Sequence, residues 1–290
     1  MTERIYRETG GAAQKMELIR SKGGVHVYRC VYAGQRAVIK YFENESDRRE
    51  IANYRMLAEL NVPTVKMLSF AERYLVLEDI GASDIWRMGE EADMQDPSVL
   101  RALAKWYFAL HEGCGGHRRL KEMWSENDEL NSMTIEMIRR KLPGAGEVCD
   151  FAQAHLDTLR AMLTAVENTV TYNDFYYTNF IVRKDRSAAM MFDYNLMGRG
   201  FRYADFRNIA SSVSGEAFAA FEEEYAALYC GKYGAGFQPD ETEKRLDDFL
   251  SPFLGLSGAL KREKFPVWAE SLREDAESGM LLKRGREILG

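Results

Sequence analysis

Nothing in this sequence pairs its cysteines. Cys30, Cys114, Cys149 and Cys230 lie far apart with no C-x-x-C spacing, which argues against a disulfide framework and leaves reduced, mostly buried thiols as the expectation. Histidine is scarce as well. His26, His111, His117 and His155 form no H-x-x-x-H and no Cys/His cluster, so a structural zinc is not expected. No apolar run approaches the roughly 20 residues of a membrane span, and Met1-Thr2-Glu3-Arg4 does not open a signal peptide. A cytoplasmic protein with no membrane partner is the expectation. A basic stripe is also missing: the net charge is −6, and 13 Lys/Arg against 11 Asp/Glu in residues 1–80 leave that part about +2 and the remainder about −8. That balance does not suit a nucleic-acid binder, so no nucleic-acid partner is expected, and it suits an anionic cosubstrate with a cationic acceptor.

What is present is a chain long enough for two lobes or one large domain, with the 46% hydrophobic and 29% charged content of an ordinary folded protein. Residues 15–22, 25–32 and 35–42 read as three strands rich in Val, Ile, Tyr and Phe, broken at Gly23-Gly24 and Ala33-Gly34. The first break is short of a G-x-G-x-x-G loop, yet its glycines would let backbone N–H groups approach phosphates. Glu50, Tyr54, Leu57 and Ala58 then recur at helical spacing until Asn61-Val62-Pro63 stops the helix. A second hairpin follows, with strands at 64–70 and 74–79.

The stretch Thr171 to Asp193 carries the chemistry. Asp174 is followed after four residues by Asn179, then by two short apolar runs, 179–183 and 188–193, which read as a hairpin turning at Lys184-Asp185-Arg186-Ser187 and ending at Asp193. Phosphoryl transfer needs one carboxylate to orient a hydroxyl nucleophile and accept its proton. It also needs an amide oxygen and a carboxylate as ligands for the Mg²⁺ of a nucleoside triphosphate. The hairpin brings Asp174, Asn179 and Asp193 to one end.

The Asp174/Asn179 spacing equals that of the kinase motif H-R-D-L-x-x-x-N, and Asp193 stands where the metal-binding Asp of D-F-G follows. The flanking residues Tyr172-Asn173-Asp174 and Phe192-Asp193-Tyr194-Asn195 resemble the H-[GN]-D and I-D-[FW]-[DE] motifs of the aminoglycoside phosphotransferase and choline kinase family, and Asp205 resembles its second structural Asp. The resemblance implies an α+β, two-lobed protein-kinase-like fold. Residues 1–80 would be a small antiparallel-sheet nucleotide-binding lobe with one helix, and residues 81–290 a larger, mainly helical catalytic and acceptor-binding lobe. It implies a small-molecule kinase passing the γ-phosphate of Mg·ATP, or GTP, to a hydroxyl of a small cationic acceptor of aminoglycoside type. A choline/ethanolamine-type or other metabolite kinase, and a non-catalytic nucleotide-binding module, remain the alternatives. By the same resemblance Asp174 is the catalytic base, and Asn179 and Asp193 hold Mg²⁺. Lys40, in Ala37-Val38-Ile39-Lys40, meets the phosphates and is oriented by Glu50 in preference to Glu45. Gly23 and Gly24 approach the phosphates, and Glu78 and Ile80 belong to the hinge that reads the base. Tyr172 for the usual His, and Tyr176-Tyr177 for the usual His-Pro, are departures.

The rest of the chain reads as mostly helix. Leu100, Leu103, Ala104, Tyr107, Leu110 and His111 make one apolar face, with His111 expected to be a buried, hydrogen-bonded histidine, before a loop at 113–116. Residues 124–130, reading WSENDEL, are expected to form an exposed turn. Residues 152–165 form one helix, Gly198-Arg199-Gly200 a flexible segment, and Asp205 a brace behind the catalytic loop. From Glu216 an aromatic-striped helix leads to further helix interrupted at Pro252, Gly255 and Pro266. Tyr225 or Trp268 beside a glutamate is a candidate ammonium site.

Overall fold

Period-two burial organises the first part of the chain. In the strand Gln35–Phe42, Ala37, Ile39 and Tyr41 are fully buried in a cluster with Tyr28, Cys30, Tyr74 and Val76, which turns Lys40 to the opposite face of the sheet. The computed structural model describes residues 1–114 and 119–289. Its elements begin with α1 (Thr2–Glu8), β1 (Ala13–Lys22), β2 (Val25–Tyr32), β3 (Gln35–Phe42), α2 (Arg49–Glu59), β4 (Met67–Phe70) and β5 (Tyr74–Glu78). The five strands form one antiparallel sheet in the order β1-β2-β3-β5-β4. Gly23 and Gly24 turn the first hairpin with φ of +59° and +84°, the left-handed values that a two-residue turn demands. Asn44 donates from Nδ2 to the Gly23 carbonyl, and a Cβ on Gly24 would lie 2.5 Å from that nitrogen.

Next come β6 (Trp86–Met88), α3 (Pro97–Cys114), α4 (Ser132–Lys141), α5 (Gly146–Ala154), α6 (Leu156–Ala165) and β7 (Thr169–Thr171). The chain continues through β8 (Phe180–Arg183), β9 (Ala189–Met191), β10 (Gly198–Gly200), α7 (Arg202–Ala210), α8 (Gly215–Tyr233), α9 (Glu241–Leu260), α10 (Glu270–Glu277) and α11 (Met280–Leu289). Two units result. One comprises residues 1–113, 174–197 and 209–236, and holds the five-stranded sheet, the small sheet β6-β8-β9 and the helices α3 and α8. The other comprises 114–173, 198–208 and 237–290, where Leu130, Ile138, Leu159, Leu246, Phe249 and Phe253 belong to one core. A small antiparallel sheet, with α1 and α2 among its strands, is followed by mostly helical chain.

Four local expectations are corrected. Gly198-Arg199-Gly200 is a strand paired with Thr169–Thr171, and its glycines serve close approach: a Cβ on Gly198 would lie 2.5 Å from the Trp124 carbonyl oxygen. Residues 152–165 are split between α5 and α6, which meet at His155. Pro252 and Gly255 do not interrupt α9; Phe249, Leu250, Phe253 and Leu254 are buried around them, and that packing outweighs the one backbone bond Pro252 cannot donate. Gly255 instead makes room for Leu272, whose Cδ1 would stand 3.1 Å from a Cβ there. Gly113 lies within α3 rather than in a loop, and residues 115 and 116 fall outside the described residues, as does His117. Cys30 and Cys149 are buried free thiols and Cys230 is exposed, while the Cys114 side chain lies outside the described set. No helix among the described residues is long and apolar enough to cross a membrane.

One buried carboxyl makes the second unit pH-sensitive. Glu243 Oε2 accepts from the Tyr203 backbone N–H at 3.2 Å, in the first turn of α7. Burial pushes this carboxyl up from 4.5 to about 7, against the opposing Tyr203 bond and Arg202 charge. A folded pKa above the unfolded one contributes stability below pH 4.5 that is lost as pH rises toward about 7. That difference amounts to on the order of 3 kcal/mol. Glu243→Gln keeps the acceptor and cannot ionise. Thermal melts should therefore match wild type at pH 5 and lie several degrees higher at pH 8; equal melts at pH 8 would refute the account.

Candidate active site

Lys40 is the centre of a buried charge cluster in the first unit. The β3 alternation points it away from the sheet's apolar cluster, and α2 supplies Glu50, whose Oε1 accepts from Lys40 Nζ at 2.7 Å. Asp193 Oδ1 accepts from the same ammonium at 2.9 Å. Lys40 is 8% exposed and Glu50 1%. Burial opposes the Lys40 charge, but Glu50 and Asp193 outweigh it and the ammonium is held above its ordinary value. Burial likewise pushes Glu50 up, to about 7, with Lys40 opposing and the Asp193 charge adding to the rise. Glu45, the alternative partner, stands before the short turn that precedes α2, and Glu50 makes the contact.

Asp174 and Asn179 are tied together in the same unit. Asn179 Nδ2 donates to Asp174 Oδ2 at 2.8 Å and to the Asp174 carbonyl at 3.0 Å. Burial first, and then the Asp193 charge, hold the Asp174 carboxyl above the usual range while the Asn179 bond opposes them. The residues before Asp174 are fixed by Asp205, 1% exposed, whose carboxylate accepts from the Tyr172 N–H at 2.9 Å and the Asn173 N–H at 3.0 Å. Asn173 and Asp193 have φ of +66° and +63°. Strained backbone at two non-glycine residues costs on the order of 1–3 kcal/mol each and persists where the surroundings over-determine it, as these bonds do.

Sequence reasoning missed three further residues. Arg49 Nε donates to the Asn195 carbonyl at 2.6 Å, and Asn53 Nδ2 donates to the carbonyls of Tyr194 at 2.8 Å and Met197 at 3.3 Å. Tyr54 packs edge-on to Tyr194 with ring centroids 4.6 Å apart. One face of α2 thus grips the segment immediately after Asp193. The only trace of this in the sequence is a polar Asn at i+3 from Glu50, on a helix face that is otherwise apolar.

A divalent cation suits the oxygen donors present. Asp193 has one oxygen on Lys40 and a second available, and the Asn179 amide oxygen has only a 3.5 Å contact from Thr178 Oγ1. A cation beside Asp193 would also relieve its repulsion of Asp174. Among the described residues no group of three or more His, Cys, Asp and Glu is arranged to hold a metal. Glu78, at the end of β5, accepts from the Lys66 N–H at 3.0 Å, and Ile80 is buried beyond it. Gly23 and Gly24 are engaged by Asn44 and Glu43 at their hairpin and make no hydrogen bond to the Lys40 cluster.

The candidate ammonium sites are corrected. Tyr225 is fully buried, with its hydroxyl 2.8 Å from Nδ1 of His111, itself fully buried as expected. Arg262 already stands over the exposed Trp268 ring. In the 124–130 turn Ser125 is buried, and Asp128 and Glu129 are paired with Arg199 and Lys261.

The profile of the phosphotransferase enzyme family matches residues 16–243. A structure from Ralstonia eutropha JMP134, assigned to the aminoglycoside phosphotransferases, is 14% identical over 99% of this chain and 96% of its own, with a TM-score of 0.61. A choline/ethanolamine kinase family protein from Mesorhizobium loti is 15% identical over 100% and 99%, with a TM-score of 0.57. Spectinomycin phosphotransferase in complex with ADP and spectinomycin is 10% identical over 99% and 98%, with a TM-score of 0.58. No curated protein matches in sequence. At such identities the structural likeness establishes the kinase-like fold, and the profile spans most of the sequence: the chain belongs to the phosphotransferase enzyme family.

Proposed function

We propose that this protein is a small-molecule kinase that transfers the γ-phosphate of Mg·ATP, or GTP, to a hydroxyl of a small cationic acceptor. The observation that carries the reading is Lys40 held by both Glu50 and Asp193, with the Asp174/Asn179 pair in the same unit. Residues 1–80 serve as the nucleotide lobe, with Glu78 and Ile80 at the hinge and the Gly23-Gly24 turn near the phosphates. Lys40 is the cation for the phosphates, and Glu50 keeps it extended toward them. Asn179 and Asp193 would hold Mg²⁺, which supplies charge neutralisation on the transferred group. Asp174 accepts a hydrogen bond from the acceptor hydroxyl, orients it, and takes its proton as the oxygen bonds to the γ-phosphorus and the bond from that phosphorus to the departing nucleoside diphosphate breaks. Positioning and electrostatics do most of the work, since the transferred group needs no covalent help from the protein.

An acceptor of aminoglycoside type and one of choline/ethanolamine type both accord with this site, and relatives of both kinds share the fold. A purely binding module is disfavoured, because a nucleotide site alone has no use for Asp174 beside Asn179. The test is Mg²⁺-dependent nucleotide consumption with ATP and GTP across aminoglycosides, choline, ethanolamine, amino alcohols and sugars, with Asp174→Ala as control. Acceptor-stimulated turnover that disappears in the variant supports the kinase; nucleotide binding with no turnover on any acceptor would favour the binding module.

A further inference from the structure

Resting on the kinase reading, we propose that Tyr176, Tyr177 and Glu91 form the seat for an ammonium group of the acceptor, so that the preferred substrate is an amino alcohol rather than a neutral sugar. Tyr176 is 48% exposed and stands two residues after Asp174, on the segment that bears the proposed base. Its ring lies 4.6 Å from that of Tyr177 at an angle of 41°, so two aromatic faces are presented together. The pair is anchored from below: Phe175 is buried with its ring 5.0 Å from Phe180, and the Asn179 N–H donates to the Tyr176 carbonyl at 2.9 Å. A large ring left in water on a braced loop, with the half-buried Tyr177 ring beside it, is a surface awaiting a ligand.

A carboxylate reaches the same place. The Gly89 N–H donates to the Phe180 carbonyl at 2.9 Å, and a Cβ on Gly89 would lie 2.6 Å from the Tyr177 carbonyl oxygen, so this segment presses against the loop. Glu91 follows two residues later, in the turn Glu91–Gln95 that packs on the turn Tyr177–Asn179. Its acidic neighbours are taken. Arg87 clamps Asp93 with two bonds of 2.6 Å and stands 4.0 Å from Glu90, whereas Glu91 is exposed with no basic partner among the described residues. Desolvation first, then Tyr177 and the Glu91 charge, push the Tyr176 phenol up.

Two ring faces and an unpaired carboxylate attract a cation and offer little to a neutral polyol. Tyr176 and Asp174 stand two residues apart on one segment, and the ammonium and the hydroxyl of one small acceptor are proposed to reach both. The probes are choline against 3,3-dimethyl-1-butanol, which replaces nitrogen by carbon at the same shape, and ethanolamine against 1-propanol. Binding is read by calorimetry on the full chain with and without Mg·ADP. In wild type at least one cation should bind about tenfold or more tightly than its neutral partner. Glu91→Gln and Tyr176→Leu/Tyr177→Leu should each shrink that preference to about threefold or less, with ADP affinity unchanged. Equal binding of both members of both pairs, no binding of either cation, or a preference that survives both variants would overturn the proposal. If Tyr176→Leu/Tyr177→Leu disturbs folding, the exposed Glu91→Gln variant decides alone. Loss of ADP affinity in the variants would assign the surface to the nucleotide and overturn it too. Failure of wild type to bind Mg·ADP would instead strike the kinase reading, and the nucleotide-free titrations still report the cation preference.

Discussion

Asp174→Asn should lower kcat by about a thousandfold while Mg·nucleotide affinity stays within about threefold of wild type, because on the proposed mechanism the substitution removes the base and little else. The Asn179 amide donates to Asp174 Oδ2, and an asparagine oxygen at 174 preserves that acceptor, so the loop keeps its internal bond. What disappears is the negative charge proposed to orient the hydroxyl and take its proton. The pH profile distinguishes this from a packing defect. Burial and the Asp193 charge hold Asp174 above the ordinary carboxylate range. The base must be ionised, so wild-type kcat/KM should fall as pH drops through that raised value, and this acid limb should be missing from the variant's residual activity. Steady-state kinetics from pH 4.5 to 8 with equilibrium nucleotide binding are the measurement. Near wild-type turnover at saturating acceptor would remove Asp174 from the mechanism.

The parts of this site that were legible in the sequence are those whose geometry is local. The alternation of Ala37, Ile39 and Tyr41 implies that Lys40 faces away from the apolar cluster, and helical spacing implies that Glu50 shares a face with Tyr54 and Leu57. The 180–191 hairpin, legible from its two apolar runs, carries Asp193 back toward Asn179. Asn53 and Arg49 were not legible because their partners, the carbonyls of residues 194, 195 and 197, lie more than 140 positions away and no side-chain type announces a backbone acceptor. The same distance problem produced the errors. Gly198 and Gly200 look flexible locally, yet they are strand residues because Trp124 and Thr171 approach too closely for any side chain. Pro252 looks like a stop locally, yet α9 passes through it because the buried residues on either side hold the helix in place. Aromatic stripes are ambiguous for a related reason: Tyr225 belongs to the core with His111, and the exposed Tyr176, with Tyr177 beside it, stands on the segment after Asp174 instead.

Lys40→Met should abolish activity and also destabilise the protein in a way that depends on pH. Removing one partner of a buried ion pair leaves an uncompensated charge and costs about 3–5 kcal/mol. Here two carboxylates, Glu50 and Asp193, lose the ammonium that both contact. In wild type burial already lifts Glu50 to about 7, and Lys40 is the largest influence opposing that rise. Without Lys40 the Glu50 pKa moves higher still. A carboxyl with a raised folded pKa contributes stability at low pH that is lost as pH climbs through the folded value. The deficit of the variant should therefore be smaller at pH 5.5, where Glu50 is protonated in the folded state and only the Asp193 contact is lost, and approach its full size at pH 8.5. Urea denaturation at both pH values reads the difference directly, and a deficit that is equal at the two would contradict the coupling. A second variant separates stability from function. Lys40→Met/Glu50→Leu replaces that pair with apolar side chains of similar bulk, which is often neutral for stability, and should recover the share of the loss at pH 8.5 that belongs to Glu50, with Asp193 still lacking its ammonium. Nucleotide affinity and turnover should stay absent, because the phosphates still lack the cation that β3 directs toward Asp193.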